Sequence, residues 1–576
     1  MRTLFNTLIV AGLTCLSLTT VSAQTPNQTT RQAMTDLEAK RPKQAEQTLQ
    51  QAAQQQPSPE SYFFLGQYYL KANQPDKAQA AFEKGASMED KKSYLNQIGL
   101  GGVALMRGET GKAGDIFAEV EKRAKRKNPD WLYRMAQMYV IADSSHRNPQ
   151  EALRLINKVL DDSKVEKKPG YYIVKGDAMQ HLNKGGDAVS AYESALQLDA
   201  QNVYALTQIG RIFKNGKNYP VARDNFLKAL SIDSTYTPAY DQLGDLYFLG
   251  RNYRSAAYNY KKVVDNSEEN FDDTFQYTKM AFLAKDYPNM IAYLDRIKDN
   301  PQLKDSNPVR RMYAYAYVTD DYKKYDEAKQ LMEELIKTTP EDEQFTMDYA
   351  ALGRAYANID GEGNDSLAIV YLTKATADTT ENLYDDIAGI YYSKLKQYNN
   401  AARAYQQGIE WKEANNKKPV SQDYYNVGRS AYFGFTINKD STLTGLADSS
   451  FAKLYEVNPA YTRGLLWRAR INRYMPDDSA NQRAVEFYQA FAEASDTDSL
   501  RTADKTLEKD LTEAYGFLGY QAYQDKEYNK AVDYFNKTLE FDPEHKTAKQ
   551  LLEFIDKNKL ATTGQNAAGV KTASSR

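Results

Sequence analysis

Small and apolar residues recur along this chain at helical spacing, and the recurrence itself repeats. Gly176, Gly210 and Gly244 are equally spaced, and Ala188, Ala222 and Ala256 keep the same step. So do Tyr192, Phe226 and Tyr260, and Ala195 and Ala229. Met290, Leu294 and Ile297 fall one step after Ala256, Tyr260 and Val263. The shared step is about 34 residues, the length of one helix-turn-helix unit. Within a unit the glycine is followed three positions later by an aromatic or small apolar residue on the same helix face. An alanine comes at a fixed distance after the glycine, as Ala188 does after Gly176. An aromatic stands four positions beyond the alanine, and another small residue three after that. This pattern predicts two amphipathic helices in an antiparallel hairpin. Small residues let the two backbones approach, and the aromatic fills the gap toward the neighbouring unit. Polar segments such as Lys214-Asn215-Gly216-Lys217-Asn218 make the turn between them.

One copy of the pattern reads Tyr62, Leu65-Gly66, Tyr69, Ala78, Phe82 and Gly85. It recurs in Leu243-Gly244, Tyr247, Ala256 and Tyr260, and in Leu352-Gly353, Tyr356, Ala368, Leu372 and Ala375. Tyr515, Leu518-Gly519, Ala522, Ala531, Phe535 and Pro543 restate it near the C-terminus. Weaker copies centre on Gly101/Phe117, Ala136/Ala152, Ala314/Ala328, Gly389/Tyr405, Gly428/Phe451 and Ala469/Tyr488. A degenerate first copy uses Ala33, Ala45, Leu49, Ala52 and Pro57. The set resembles the tetratricopeptide repeat family. That resemblance implies an all-α, right-handed superhelical solenoid of about fourteen helix-turn-helix hairpins.

Departures from the period locate further features. The glycine-to-alanine step is lengthened from Ala136 to Ala152, from Gly353 to Ala368 and, most of all, from Gly428 to Ala447. These insertions, near Ser144, Asp360 and Thr442, fall in the turn inside a hairpin, either as a binding rim or as tolerated loops. Prolines at 301 and 308 bend the array or divide it, giving repeats over 24–300 and 309–545 with a hinge at 301–308. Ala548, Leu551, Leu552 and Ile555 share one face of a capping helix at 546–560, which covers the last repeat. The Ala, Thr, Gly and Ser-rich tail 561–576 reads as disordered.

The start of the chain reads as a secretory leader over residues 1–23. Arg2 precedes a largely apolar run, and Val21-Ser22-Ala23 offers a small-x-small cleavage site before Gln24. Cys15 is the sole cysteine and lies inside that leader; Gly12 and Thr14 stand where a lipoprotein signal needs a Leu-like and a small residue. The processed chain then has no thiol, which suits a periplasmic or secreted location. No other segment approaches the ~20 apolar residues of a membrane span. A formal charge of -2 and pI near 6.2 give no electrostatic case for nucleic acid.

Candidate chemistry is sparse. His146, His181 and His545 fall in different units, with no partner at metal-ligand spacing. Gly108-Glu109-Thr110-Gly111-Lys112 lacks the glycine spacing and the Ser/Thr of a phosphate loop. Asp360-Gly361-Glu362-Gly363-Asn364-Asp365 does not match a twelve-residue calcium loop and reads as a solvated turn. The basic run Lys122, Arg123, Lys125, Arg126 and Lys127 suits a solvated helix C-terminus. No catalytic, cofactor or metal set is predicted.

The family resemblance implies a concave groove lined by the first helix of each hairpin. In that register the groove residues are Arg211, Lys214, Asp241, Asp245, Phe248, Arg311, Tyr315, Arg354, Tyr425, Arg429 and Tyr432. Arginine and tyrosine supply interface hot spots, while tyrosines packed sideways on the next repeat are the alternative. The Lys and Asn set that clamps chaperone tails in some relatives is absent. The resulting expectation is a non-enzymatic scaffold of the bacterial cell envelope that binds a partner protein or peptide, with peripheral envelope association. Two alternatives stand beside it. One is glycan capture in an outer-membrane polysaccharide uptake system; the other is an accessory subunit of an assembly, secretion or energy-transducing complex.

Overall fold

The computed structural model describes residues 26–90, 93–124, 128–142, 145–377 and 380–561. The predicted leader and nearly all of the predicted tail lie outside them, as do Lys125, Arg126, Lys127 and Ser144. Among the described residues the regular elements are 30 α-helices and two short 3-10 turns, with no strand. The chain divides into two compact units, Met1–Pro301 and Gln302–Arg576.

The N-terminal unit begins with α1 (Pro26–Glu38) and α2 (Pro42–Gln55), α3 (Pro59–Lys71) and α4 (Pro75–Ser87), then α5 (Leu95–Met106) and α6 (Thr110–Arg123). It continues with α7 (Pro129–Ile141) and α8 (Pro149–Asp161), then α9 (Pro169–His181) and α10 (Gly185–Leu198). Three more hairpins pair α11 (Val203–Asn215) with α12 (Tyr219–Ile232), α13 (Thr237–Leu249) with α14 (Tyr253–Asn266), and α15 (Phe271–Leu283) with α16 (Tyr287–Ile297).

In the C-terminal unit α17 (Asn307–Tyr317) pairs with α18 (Tyr325–Thr338), α19 (Thr346–Ala357) with α20 (Asn364–Ala375), and α21 (Tyr384–Ser393) with α22 (Tyr398–Ala414). Next come α23 (Ser421–Thr436) with α24 (Thr444–Val457), and α25 (Arg463–Asn472) with α26 (Ala480–Ser495). The short α27 (Asp498–Ala503) precedes the pair α28 (Leu507–Gln524) and α29 (Tyr528–Phe541), and α30 (Lys546–Lys557) closes the array. Among the described residues that makes fourteen hairpins, the number read from the period. Ala548 and Ile555 of α30 are buried against the last hairpin, with Leu551 and Leu552 half-buried beside them.

Seven of the hairpin turns close in the same way. Two positions past the end of the first helix, the backbone turns left-handed: Lys40, Asn73, Asn183, Lys217, Arg251, Lys285 and Lys526 have φ between 55° and 62°. The next N–H then reaches back five positions, from Asn218 to the Phe213 carbonyl at 2.9 Å and from Asn252 to that of Tyr247 at 2.9 Å. This Schellman closure satisfies carbonyls that the helix end leaves open. Gly216, the glycine of the predicted turn, has φ -77°, so its neighbour Lys217 makes the left-handed bend. Helix starts are fixed by proline in the first turn of α2, α3, α4, α7, α8 and α9. Elsewhere Asn caps serve, as where Asn202 accepts from the Ala205 N–H at 3.0 Å.

The repeated glycine is the seat of the repeated ring. A Cβ on Gly210 would lie 2.4 Å from the Phe226 ring, and one on Gly176 2.5 Å from Tyr192. The same relation holds for Gly66/Phe82, Gly101/Phe117, Gly244/Tyr260 and Gly519/Phe535. The ring therefore packs onto its own hairpin's glycine, where the pattern had placed it against the neighbouring unit. Phe82 does both, because a Cβ on Gly99 of the next hairpin would also strike it, at 2.2 Å. The insertions stretch the relation without breaking it: Gly353 is seated by Leu372, and Gly428 by Phe451. One predicted copy is out of register. A Cβ on Gly389 would meet nothing within 4 Å, whereas Ala388 beside it is fully buried and holds the close-approach position.

Candidate partner-binding face

The first helices of successive hairpins pack on one another, as α11 does on α13 and α17 on α19. Their exposed edges carry the residues named from the sequence, but most of the charged ones are already committed within the chain. Lys214 on α11 pairs with Asp245 on α13 at 2.7 Å. Asp241 lies 3.9 Å from Lys40 of the first hairpin turn. Arg211 is exposed and donates to Gln208 at 3.3 Å, and Phe248 is 42% exposed.

In the C-terminal unit the commitments are stronger. Arg311 of α17 grips Asp348 of α19 with two nitrogens, each at 2.9 Å, and Tyr315 donates its hydroxyl to the same carboxylate at 2.6 Å. Asp348 is wholly buried and also accepts the Phe345 N–H at 2.9 Å. Burial, and then the Asp348 charge, pushes the Tyr315 hydroxyl far above the ordinary phenol range, so it stays a donor. Arg354 of α19 repeats the device toward α21, reaching Asp386 at 2.9 Å and Glu381 at 3.3 Å. Burial works against the Arg354 charge, and the two carboxylates outweigh it.

The sequence reading missed the acidic half of this ladder, Asp348 and Asp386. It also missed a third rung, where Arg470 of α25 reaches Asp510 at 3.0 Å and Glu513 at 2.6 Å on α28. The signal lay in the spacing: each cation finds its acid about one repeat further on, 31 residues for Lys214, 37 for Arg311 and 32 for Arg354. Tyrosines at the ring position carry a second signal. Tyr192 and Tyr260 donate to Asp177 at 2.6 Å and Asp245 at 2.5 Å, the residues that follow Gly176 and Gly244. Where the ring is Phe226 or Phe451, an arginine follows the glycine instead.

Tyr425, Arg429 and Tyr432 behave differently. Tyr432 meets Trp467 edge to face at 5.2 Å and Phe433 at 5.7 Å, and Tyr425 meets Tyr461 at 6.1 Å. The Arg429 guanidinium lies over Tyr392 at 5.0 Å and over Phe433 at 5.7 Å. Tyr398 closes the set against both Tyr392 and Phe433. These half-buried rings make a continuous aromatic and guanidinium patch across α21 to α25. Among the described residues no group of three or more His, Cys, Asp or Glu could hold a metal, and no helix is long and apolar enough to cross a membrane.

Models of the tetratricopeptide repeat match residues 30–90, 65–129 and 383–415. No curated protein matches the chain. Among solved structures, the C-terminal part of a repeat-containing protein from Cytophaga hutchinsonii is 24% identical, covering 48% of this chain and 98% of that one at a TM-score of 0.34. PilF of Pseudomonas aeruginosa is 15% identical over 39% of this chain and 97% of its own, at 0.29. A tetratricopeptide repeat protein from Parabacteroides merdae is 14% identical over 46% and 99%, at 0.27. With fourteen hairpins built on one repeating pattern and repeat matches in both units, the chain is a tetratricopeptide-repeat protein.

Proposed function

We propose that this protein is a non-enzymatic scaffold of the bacterial cell envelope, exported by its N-terminal segment, which binds a partner protein through the face of its first helices. The tetratricopeptide fold supports protein–protein interaction in general, and the aromatic–guanidinium patch on α21 to α25 carries the reading for this chain. Rigid aromatic rings and a stacked arginine are the side chains that yield much contact energy for little ordering cost. Arg429 is the centre of that patch, since its guanidinium lies over both Tyr392 and Phe433.

The test is a cross-linked affinity capture from envelope fractions with three chains: wild type, Arg429→Ala with Tyr432→Ala, and Arg354→Ala. A partner held by wild type and by Arg354→Ala, and lost with the patch variant, supports the reading. Equal recovery by all three removes the patch from the interface. Recovery of unprocessed protein in the cytoplasmic fraction refutes the envelope assignment.

A further inference from the structure

The first hairpin touches a part of the N-terminal unit that is remote in sequence, with 233 residues separating Lys40 from Asp273. Lys40, at the left-handed bend between α1 and α2, reaches Asp273 at the start of α15 at 2.6 Å and Asp241 of α13 at 3.9 Å. Its carbonyl accepts the Glu268 N–H at 2.9 Å, and Gln44 returns its own N–H to the Glu268 carboxylate at 2.9 Å. Arg41, held by Asp36 of its own hairpin at 2.8 Å, also donates to the Asn266 carbonyl at 3.2 Å. Glu38, just before the bend, accepts the Tyr236 hydroxyl at 3.3 Å.

Two properties set this seam apart from the joints between consecutive hairpins. Consecutive hairpins share buried apolar side chains as well as ion pairs, whereas every contact above is polar and most join partly exposed groups. Lys40 and Asp241 keep about a third of their side chains in water, at 37% and 34%, and Asp273 keeps 15%. Ion pairs of this kind are weak and screened by salt, so the seam can open without disturbing the hairpin cores. The second property is what the seam covers. Glu38, 3.6 Å from Lys71, meets Tyr236 at the start of α13, and Lys40 meets Asp241 of α13 and Asp273 of α15. The hairpin end therefore stands over the first helices α13 and α15, on the face where this family of hairpins offers a partner its side chains.

We propose that the first hairpin is an autoinhibitory latch, and that a partner segment with two adjacent basic residues opens it by taking the seat of Lys40 and Arg41. The seat's chemistry selects that partner. The Asp273 and Asp241 carboxylates receive one cation, and the Asn266 carbonyl receives a guanidinium one residue further on. The proposal rests on the reading of the first-helix face as a partner surface, and its test separates the two.

Hydrogen exchange on the full chain reads the latch with no partner present. In Lys40→Ser, and in wild type at high salt, the amides of Glu268 and Gln44 should exchange at least tenfold faster, with α11 and α12 unchanged. The charge swap Lys40→Asp/Asp273→Lys should restore protection. Unchanged exchange at both amides overturns the latch. A synthetic peptide copying residues 34–48 then probes the seat. It should bind the Lys40→Ser variant at least tenfold more tightly than wild type, and lose that binding when its own Lys-Arg pair is Ser-Ser or when the seat carries Asp241→Asn/Asp273→Asn. Equal affinity for both proteins, or for both peptides, refutes the proposal. An envelope partner captured equally by wild type and by the opened variant refutes the latch while leaving the scaffold reading standing.

Discussion

If the repeated glycines exist to seat a ring, adding a single methyl group at one of them must cost stability that the same methyl at an unseated glycine does not. Gly210 and Gly114 make the comparison, since both lie inside helices, α11 and α6. A Cβ on Gly114 meets nothing within 4 Å, while one on Gly210 falls 2.4, 2.7 and 2.9 Å from three atoms of the Phe226 ring. Carbon atoms rest about 3.5–4.0 Å apart, so the ring must retreat by roughly 1 Å. It has nowhere to go: Phe226 is fully buried among Ala222, Ala229, Tyr236 and Leu243, themselves closed to solvent.

Replacing Gly by Ala in a helix interior gains about 1 kcal/mol from backbone entropy, and both variants receive that gain. Overpacking a filled core costs about 1–3 kcal/mol, and only Gly210→Ala incurs it. The two substitutions should therefore differ by about 1–3 kcal/mol, with Gly114→Ala neutral to stabilising. Gly210→Val should be worse than Gly210→Ala. Because solenoid stability is a sum of local and nearest-neighbour terms, the assay is hydrogen exchange resolved by helix. The loss should centre on α11 and α12, fade through α9 to α14 and spare α17 to α30. Shortening the ring, Phe226→Leu, should recover part of the loss in Gly210→Ala and cost stability in wild type. Equal effects of Gly114→Ala and Gly210→Ala, or a loss spread evenly through both units, would refute the seating argument.

The remaining predictions concern charge and backbone. Lys217→Gly should stabilise its hairpin by about 0.5–1 kcal/mol, because a left-handed L-residue costs about 1–2 kcal/mol and glycine returns part of that gain as entropy; a lower urea midpoint would contradict the Schellman reading. Arg311→Ala strips the wholly buried Asp348 of its counter-charge and should cost about 3–5 kcal/mol, read as lost protection in α17 to α19. A loss below about 1 kcal/mol, the scale of an ordinary hydrogen bond, would show that Tyr315 and the Phe345 amide suffice. Asp177 supplies a pH signature. Burial pushes its carboxyl up to about 6, against the lowering effect of the Tyr192 and Tyr204 hydroxyls. The folded chain then holds this proton more tightly than the unfolded one, so the contribution is full below pH ~4 and drains away as pH rises through ~6. Protection of α9 and α11 should fall across that window in wild type and stay level in Asp177→Asn; identical profiles would exclude Asp177 as the source.

The fold was legible because the repeat writes it several times over. Glycine, alanine and ring columns each report the same hairpin, so an error in one copy is corrected by the others. Gly389 shows the limit: with two small residues side by side at 388 and 389, the pattern could not say which one faced the partner helix, and burial chose Ala388. The turn residue was obscured for a different reason. Glycine is the usual left-handed residue, but a Schellman closure needs that geometry at one fixed distance from the helix end, and the position is occupied by Lys217 whatever stands beside it. The candidate face was legible only as a list of outward positions. Periodicity fixes the side of a helix on which a residue lies and is silent about what reaches it from another hairpin. Asp348, Asp386 and the seat of Lys40 are all contacts of that kind.

Those contacts change what an arginine on the first-helix face means. A guanidinium locked into two hydrogen bonds with a buried carboxylate, as Arg311 is, has spent its directional donors on the next repeat; removing it damages the fold before it can touch a partner. The Arg429 guanidinium instead lies over two rings, and among the described residues no carboxylate pairs with it. The two kinds are alike in sequence, each on the exposed edge of a first helix within the same repeat family. They separate on whether a carboxylate of the facing helix actually receives the guanidinium. That criterion turns the expected groove into two parts: a ladder of ion pairs that sets how successive hairpins stack, and an aromatic patch that the ladder leaves available for binding.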